Sequence, residues 1–248
     1  MKKEGECACM FQVHPEFEQP EDSAILWRYV DLARYADLLL KKQLFFSRAD
    51  RFEDPFEGRM SKTSINESPD DIDKIEEVKR QNEKRTEITI SSWHHNNSES
   101  YAMWKIYAKG SYGIALQTTL ADLKRSFDAT DKPIYIGKIN YYDDNAQPIR
   151  VHNNSFIPFL RKRMIYKYEN EVRCCYILSP YAEQFEWQQQ DDYNGVFIDV
   201  DLNAMIERVY ISPYSPAWIG DIVKGLNKKF QFEKEVVHSK VFGSDEFF

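Results

Sequence analysis

The stretch "AILWRYVDLARYADLLLKKQLFFSRADRFEDPFEG" at residues 24–58 contains the clearest secondary-structure pattern of the chain. It opens on a strand-like segment and continues into a helix, for which Asp31 is a suitable N-cap. The "LFFS" run then predicts a buried strand, and "DRFEDPFEG" predicts a turn because proline and glycine interrupt it. The apolar positions of the helix recur at helical spacing: Leu32, Tyr35, Leu38 and Leu39. A strand, a helix and a second strand therefore open the fold.

In the rest of the chain, predicted strands and helices alternate less regularly. A charged stretch near residues 62–86 predicts a solvent-exposed helical insertion. Strands are predicted at "EITISSW", "YGIALQTT", "KPIYIGKINYYDD", "NEVRCCYIL", "GVFIDVD", "IERVYISPYSP" and "VVHSKVF". Helices are predicted at "SESYAMWKIYAK", starting from Ser98, and at "LADLKRSF", "NSFIPFLRKRMIYKY" and "AWIGDIVKGLNKKFQF".

This order of elements favours an α+β fold. No βαβ alternation is sustained, so we expect a mixed or mostly antiparallel sheet with helices inserted irregularly. No repeat, low-complexity segment or convincing linker divides the chain. We therefore predict a polar lead-in at residues 1–24, followed by a single domain at residues 25–248.

Composition excludes several classes of protein. The net charge of −7 argues against nucleic-acid binding by the whole surface, but it allows a local basic patch. Neither G-x-G-x-x-G nor G-x-x-x-x-G-K-[ST] occurs among the 9 glycines, which argues against a glycine-rich phosphate loop. No apolar stretch reaches the ~18 residues of a membrane span, so we expect a cytoplasmic protein without a membrane partner. The sequence leaves the oligomeric state open. The basic patch would consist of Arg161, Lys162, Arg163 and Lys167.

The cysteines and histidines do not follow a metal-binding pattern. Cys7-x-Cys9 lacks the usual C-x-x-C spacing and has no matching second pair. Adjacent residues of a strand point to opposite faces of the sheet. The two side chains of each neighbouring pair therefore cannot bind one metal ion together, in Cys174–Cys175 or in His94–His95. We predict reduced, structural thiols and no metal site.

Two glutamates in "YENEVR" at residues 168–173 are the first candidates for chemistry. Because residues i and i+2 of a strand share a face, Glu169 and Glu171 point the same way, and Arg173 joins them. Neighbouring like charges raise the pKa of one carboxyl group. The segment is either an exposed ladder of charges on an edge strand or the acidic end of an active site. In the second case Glu171 stabilises a cationic centre or acts as a base.

Three further segments carry candidate ligand contacts. In "LWRY", Arg28 faces away from Trp27 and Tyr29, and it is either solvated or a clamp for a phosphate group. The turn after Ser47 is crowded with charges, which either form local ion pairs or border a site. One helix face carries an aromatic stripe that serves as core or as a pocket wall: Tyr101, Trp104 and Tyr107.

Four segments, in this order and spacing, resemble a widespread bacterial family of domains of unknown function. They are "LWRYVDLARYADLLLKKQLFFSRADRFEDPFEG", "MWKIYAKGSYGIAL", "YKYENEVR" and "VYISPYSPAWIGDIVKGL". Members of that family carry W-R-Y, F-x-D-P-F-E, M-W-x-x-Y and Y-E-x-E-x-R motifs in the same order. The resemblance covers residues 25–240.

The layout more distantly resembles the ADP-ribosyltransferase superfamily. In that superfamily a first-strand Arg or His holds NAD, a middle-strand Ser, Thr or Tyr supports the nicotinamide side, and a late Glu is catalytic. The resemblance implies that Glu171 is catalytic and that Glu169 activates the acceptor. Ser91 or Ser92 matches the middle strand. The implied contacts with NAD are Arg28, Tyr29, Ser47, Ser92, Trp104 and Tyr107.

Three functions are open at this point. The resemblance implies an NAD-using ADP-ribosyltransferase or NAD glycohydrolase, as a bacterial toxin or phage-defence effector, with a protein or nucleic-acid acceptor. The second is a non-catalytic module that binds a nucleotide or a peptide, with the carboxylates paired to Arg173 and Arg48. The third is a metal-dependent nuclease that uses Asp54, Glu57 and Glu169 as ligands.

Overall fold

The structure is a computed structural model that describes residues 11–59, 72–108, 110, 112–143, 156–178 and 194–242. Several predictions fall on other parts of the chain. Cys7 and Cys9, the first ten residues of the lead-in and the start of the charged insertion at residues 62–71 all lie outside the described residues.

The described residues form twelve strands, six α-helices and five 3-10 turns. The strands are β1 Phe11–Gln12, β2 Ile25–Asp31, β3 Gln43–Arg48, β4 Ile88–His95, β5 Gly113–Thr119, β6 Ile134–Lys138, β7 Asn140–Tyr142, β8 Arg161–Arg163, β9 Glu171–Ile177, β10 Gly195–Asp199, β11 Arg208–Ile211 and β12 Glu235–His238. The helices are α1 Leu32–Lys41, α2 Ile72–Glu83, α3 Tyr101–Tyr107, α4 Leu120–Ser126, α5 Leu202–Met205 and α6 Trp218–Lys229. The 3-10 turns are Ala49–Arg51, Lys84–Thr86, Phe127–Ala129, Ile157–Leu160 and Met164–Glu169.

The main sheet is mixed, and it contains ten of the described strands. Its main path runs β1-β6-β9-β4-β2-β5-β11-β12, and β3 and β10 branch from β4. The pairs β1–β6 and β11–β12 are parallel, whereas the other pairs of this sheet are antiparallel. This mixed sheet with irregularly inserted helices confirms the predicted α+β class.

Helix α1 forms where the sequence predicts it. The Asp31 carboxylate accepts the backbone N–H of Arg34 at 2.7 Å, which satisfies one of the unpaired N–H groups of the first turn. Lys42 ends the helix in the left-handed conformation, with φ of 55°. The side chains that α1 buries are those at the predicted helical spacing: Tyr35, Leu38 and Leu39. This apolar face belongs to the same buried cluster as Leu26 of β2 and Phe46 of β3.

The two faces of the central strands are covered differently. One face carries the largest apolar cluster, which includes Leu26, Trp93 and Val172 and packs against α1. The opposite face carries two smaller clusters, one around Phe159 and one around Trp104. Glu171 and Arg173 lie on this second face, whereas Arg28 alternates with Tyr29 along β2 and lies against Trp93 of the first face.

Two local predictions are wrong. Residues 156–169 do not form an α-helix, because they fold as a 3-10 turn, the short strand β8 and a second 3-10 turn. Helix α3 starts later than Ser98, because the Ser100 hydroxyl accepts the Met103 N–H and caps a helix that begins at Tyr101.

The end of the predicted lead-in contacts the domain. Strand β1 pairs with β6, and Phe17 is buried in the cluster around Phe159.

Among the described residues, no helix has both the length and the apolar character that a membrane crossing requires.

Candidate functional site

A cleft of about 770 Å³ is lined by charged side chains of the central strands, among them Arg28, Glu171 and Arg173. Its walls come from β2, β4, β9, α3, the loop at residues 52–57 and the 3-10 turn Met164–Glu169. The volume falls in the range of about 300–1,000 Å³ that is typical of small-molecule sites. The sheet and its flanking elements thus form one concave surface.

The cleft exists because the sheet forks. Strand β2 pairs with β4 only at Leu26–His95 and Trp27–His94. Further along, β3 replaces β2 beside β4, with the pairs Ser47–Ile90 and Arg48–Thr89. The backbone groups that face the gap between β2 and β4 therefore lack ladder partners and are available to a side chain.

Arg28 fills this fork. Its guanidinium donates to the Ser91 hydroxyl at 2.5 Å, to the Ser92 carbonyl at 3.1 Å and to the Phe45 carbonyl at 3.3 Å. All three acceptors are neutral, and no carboxylate among the described residues forms an ion pair with Arg28. A guanidinium has five N–H groups, so two remain without a described protein partner. The side chain is half-buried and lines the cleft, and burial lowers its pKa to about 10.

Carboxylates form the other end of the cleft. The Glu171 carboxylate accepts two hydrogen bonds from Arg173, at 2.7 Å from Nε and 3.0 Å from Nη2. Arg173 is fully buried, and its Nη1 also donates to the Phe159 carbonyl at 2.6 Å. This fork-to-fork pairing fixes the plane of the Glu171 carboxylate.

Lys162 lies between three buried carboxylates. Its ammonium donates to Glu169 and, at 3.2 Å, to Glu171, and it lies 3.8 Å from Glu57. Glu57 also forms a close ion pair with Arg173. When all are ionised, the three carboxylates and two cations carry one net negative charge, and each member of the cluster is at least nine-tenths buried. We call Glu57, Lys162, Glu169, Glu171 and Arg173 the acid cluster.

The loop at residues 52–58 delivers Glu57 into the acid cluster. Asp54 accepts two hydrogen bonds from Arg163, both at 3.2 Å, and this ties the loop to β8. Gly58 follows with φ of +71°, and a Cβ atom there would lie 2.4 Å from the Phe159 ring. A glycine is needed both for that backbone conformation and for the close approach of the ring.

Buried charge shifts several pKa values. Burial raises the pKa of Glu171, and the ammonium of Lys162 only partly opposes this. Burial would lower the pKa of Lys162, but Glu171 and Glu169 outweigh it and raise that pKa well above the usual range. At neutral pH Lys162 is therefore fully charged, and the proton affinity of Glu171 is increased.

Three aromatic side chains complete the acid end. The Tyr107 hydroxyl donates to Glu169 at 2.7 Å. The Tyr141 hydroxyl accepts the backbone N–H of Glu171 at 2.9 Å. His94 Nδ1 lies 2.5 Å from the carbonyl of Glu169, and burial lowers the pKa of this histidine. A neutral imidazole that donates from Nδ1 is consistent with both observations.

Most residues implied by the resemblance border the cleft. The residues that do so are Arg28, Tyr29, Ser47, Ser92, Tyr107, Glu169 and Glu171. Ser92 borders the cleft near Glu171, whereas Ser91 is buried and accepts a hydrogen bond from Arg28. Strands β2, β4 and β9 thus bring Arg28 and Glu171 to one cavity from positions 143 residues apart in the sequence.

Trp104 requires a correction. Its side chain is fully buried beneath Tyr29, with ring centroids 4.9 Å apart, and it does not border the cleft. Its indole N–H donates to Glu99 at 3.0 Å. Trp104 therefore supports the wall of the cleft, and the stripe that includes it is core at this position.

The predicted basic patch also requires a correction. Lys162 is buried in the acid cluster, and Arg163 is paired with Asp54, so neither is a free surface cation. Sequence reasoning therefore missed Lys162 and His94 as parts of the site, and it named Glu57 only as a metal ligand. The alternating pattern of "RKR" was the available signal, because it places Lys162 on the face opposite its two arginine neighbours.

The carboxylates proposed for a metal-dependent nuclease are already paired. Asp54 is bound by Arg163, Glu57 by Arg173, and Glu169 by Lys162. No group of three potential metal ligands occurs in the part of the chain that the structure describes. The arrangement does not favour a nuclease site.

No protein-family model matches the sequence, and no curated protein matches it. Solved structures that resemble the chain include Thermus sp. 2.9 DarT in complex with NAD+, with a TM-score of 0.43 and 10% identity over 91% of this chain and 100% of that chain. The complex of the same protein with ADP-ribosylated ssDNA has a TM-score of 0.43 and 11% identity over 92% of this chain and 99% of that chain. The complex with carba-NAD+ has a TM-score of 0.40 and 11% identity over 91% of this chain and 100% of that chain. Values this low do not assign a function to the chain.

Proposed function

We propose that this protein binds NAD in the cleft and transfers its ADP-ribose group to an acceptor or to water. One observation carries the proposal. Arg28, a cation without a described carboxylate partner, and the acid cluster, with one net negative charge, border the same cavity. NAD has complementary charges, since its pyrophosphate is anionic and its pyridinium ring is cationic.

Arg28 is suited to the pyrophosphate. Its three protein hydrogen bonds fix the guanidinium in the fork, and the two remaining N–H groups can donate to phosphate oxygens. Bonds between a guanidinium and a phosphate are charge-assisted and stronger than bonds to a carbonyl. A fixed cation also loses little side-chain entropy when the ligand binds.

The acid cluster is suited to the ribose that loses nicotinamide. Cleavage of the C1′–N bond develops positive charge on the sugar, as in glycoside hydrolysis. A carboxylate whose position is fixed in advance stabilises that charge without reorganisation. Glu171 takes this role in the proposal because Arg173 orients it at the surface of the cleft. Glu169 would accept the proton of the attacking group.

The cleft also offers aromatic surfaces for the two rings of the dinucleotide. Tyr29, Phe52, Tyr107 and Tyr166 all border it. Flat rings bind aromatic side chains by stacking or edge-to-face contact.

The acceptor of the ADP-ribose group is either a protein or a nucleic acid. Consumption of NAD, or modification of such a macromolecule, would suit a bacterial toxin or a phage-defence effector.

Nicotinamide release from NAD tests the proposal. We expect release by the wild-type protein, and a reduction of about 10²-fold or more in Glu171→Gln, which keeps the shape and removes the charge. Glu235→Gln is the matched control, since Glu235 is an exposed glutamate that pairs with Arg208. Unchanged release in Glu171→Gln would refute the catalytic role of this residue.

A second candidate function is a non-catalytic nucleotide-binding module. It is favoured by the fact that both oxygens of Glu171 are already bound by Arg173. Arg48, however, pairs with Asp50 and takes no part in the acid cluster. Binding of NAD without any nicotinamide release by the wild-type protein would select this second function.

A further inference from the structure

We propose that Tyr107 is a catalytic residue that relays the proton of the acceptor to Glu169. This inference rests on the proposed function, because it assigns one further step of the same reaction. The resemblance implied only that Tyr107 contacts the dinucleotide, whereas its hydroxyl points to a carboxylate.

The position of Glu169 motivates the relay. Its carboxylate has a side-chain exposure of only 6%, and the buried ammonium of Lys162 occupies one of its oxygens. The other oxygen accepts the Tyr107 hydroxyl at 2.7 Å. An acceptor in the cleft would therefore meet the phenol before it could reach the carboxylate oxygen behind it.

The exposure of Tyr107 supports the same conclusion. The side chain is 45% exposed at the end of α3, and it borders the cleft. A phenol can accept one hydrogen bond while it donates another, so it can contact the acceptor and Glu169 together. Burial and the nearby carboxylate of Glu169 raise its pKa strongly, which keeps the hydroxyl protonated and ready to donate.

The proposed step balances. The C1′–N bond of NAD breaks, and its electron pair leaves with neutral nicotinamide. The oxygen of an acceptor hydroxyl forms the new bond to C1′, and its proton passes to the Tyr107 oxygen as the phenol proton passes to Glu169. Glu169 becomes a neutral carboxylic acid and later returns the proton to water.

Two other tyrosines provide comparisons. Tyr112 is 50% exposed, lies outside the acid cluster and does not border the cleft in the described part of the chain, so it is the matched control. Tyr168 is 46% exposed, borders the cleft and precedes Glu169 directly in the sequence, so it is the rival for the same role. Phe at either position removes a hydroxyl without changing the ring.

The test uses initial rates of nicotinamide release from NAD, with water and with added methanol as the probe acceptors. We expect Tyr107→Phe to lower the rate with both acceptors by at least about tenfold, since general-base catalysis contributes about 10²–10⁴-fold. The KM for NAD should change little. Tyr112→Phe should stay within a few-fold of the wild type, Tyr168→Phe should lose less activity than Tyr107→Phe, and thermal melts should confirm that all variants are folded.

A double-mutant cycle separates a relay from an independent effect. If Tyr107 acts through Glu169, then Tyr107→Phe combined with Glu169→Gln will be no slower than Glu169→Gln alone. Additive losses, an unchanged rate in Tyr107→Phe, or a larger loss in Tyr168→Phe would each overturn the relay while leaving the proposed function in place. Absence of nicotinamide release by the wild-type protein would instead reject the proposed function and the relay together.

Discussion

The two ends of the cleft satisfy their charges in opposite ways. At the acid end, three carboxylates and two cations pair with one another, and each is at least nine-tenths buried. At the other end, the partners of Arg28 among the described residues are one hydroxyl and two carbonyl groups. The acid end is therefore built by the protein itself, while no described carboxylate pairs with Arg28 and a ligand can supply the anion.

This difference has energetic consequences. Removing one partner of a buried ion network leaves an uncompensated charge in a medium of low polarity, which is costly. A cation held by neutral acceptors has no protein anion to lose, so its main electrostatic contribution comes on binding an anion. Changes at the acid end should therefore act on folding, and changes at Arg28 should act on ligand affinity.

The largest effect is expected for Arg173→Met. Loss of this fully buried guanidinium leaves Glu171 and Glu57 with only Lys162, and we expect the unfolding free energy to fall by about 3–5 kcal/mol. Urea denaturation measures this. Arg208→Met removes an exposed ion pair with Glu235 and should change stability little. A loss in Arg173→Met no larger than that of this control would contradict the buried network.

Gly58→Ala should have the next largest effect. It places a Cβ atom 2.4 Å from the Phe159 ring and adds strain at φ of +71°. Gly110 also has a positive φ, of +94°, but has no atom within 4 Å of a Cβ position, so Gly110→Ala measures strain alone. We expect Gly58→Ala to be less stable than Gly110→Ala by at least about 1 kcal/mol, from overpacking. Equal losses in chemical denaturation would mean that the loop is not tightly packed.

The smallest effect concerns His94 and pH. Burial lowers its pKa in the folded protein, so below about pH 6.5 the unfolded chain binds a proton that the folded chain does not. Stability should therefore fall as the pH is lowered from 7.5 towards 5.5, by less than about 1 kcal/mol per unit after allowance for solvent screening. His94→Gln should reduce this slope, and His238→Gln, at an exposed histidine, should leave it unchanged. Identical slopes in both variants would exclude His94 as the cause.

Local sequence patterns predicted much of the fold. Asp31 caps α1, and the helix buries the apolar positions that its periodicity identified, because both depend only on residues a few positions apart. The failure at residues 156–169 has a tertiary cause. Lys162 is drawn into the acid cluster, and the short strand β8 replaces the helical geometry that the local pattern favours.

The site was predictable only in part. Strand alternation correctly placed Glu171 and Arg173 on one face, where they pair. The fork that holds Arg28 depends on a change of pairing partner along β4, which no local pattern encodes. Glu57 reaches the acid cluster from a turn that is distant in the sequence, and no local pattern predicts this long-range contact. Trp104 was misplaced because a stripe of aromatic residues on a helix does not indicate which of them reaches solvent.

Binding of ADP-ribose tests the central contrast most directly, because this ligand carries the pyrophosphate and cannot lose nicotinamide. Isothermal titration should give an affinity for Arg28→Gln that is about 10–100-fold weaker than that of the wild-type protein, as expected for the loss of charge-assisted hydrogen bonds to phosphate. Arg34→Gln, at an exposed arginine of the same cleft, should have a smaller effect. Equal affinity of the wild-type and Arg28→Gln proteins, or no binding by the wild type, would contradict the assignment of Arg28 as the anion site.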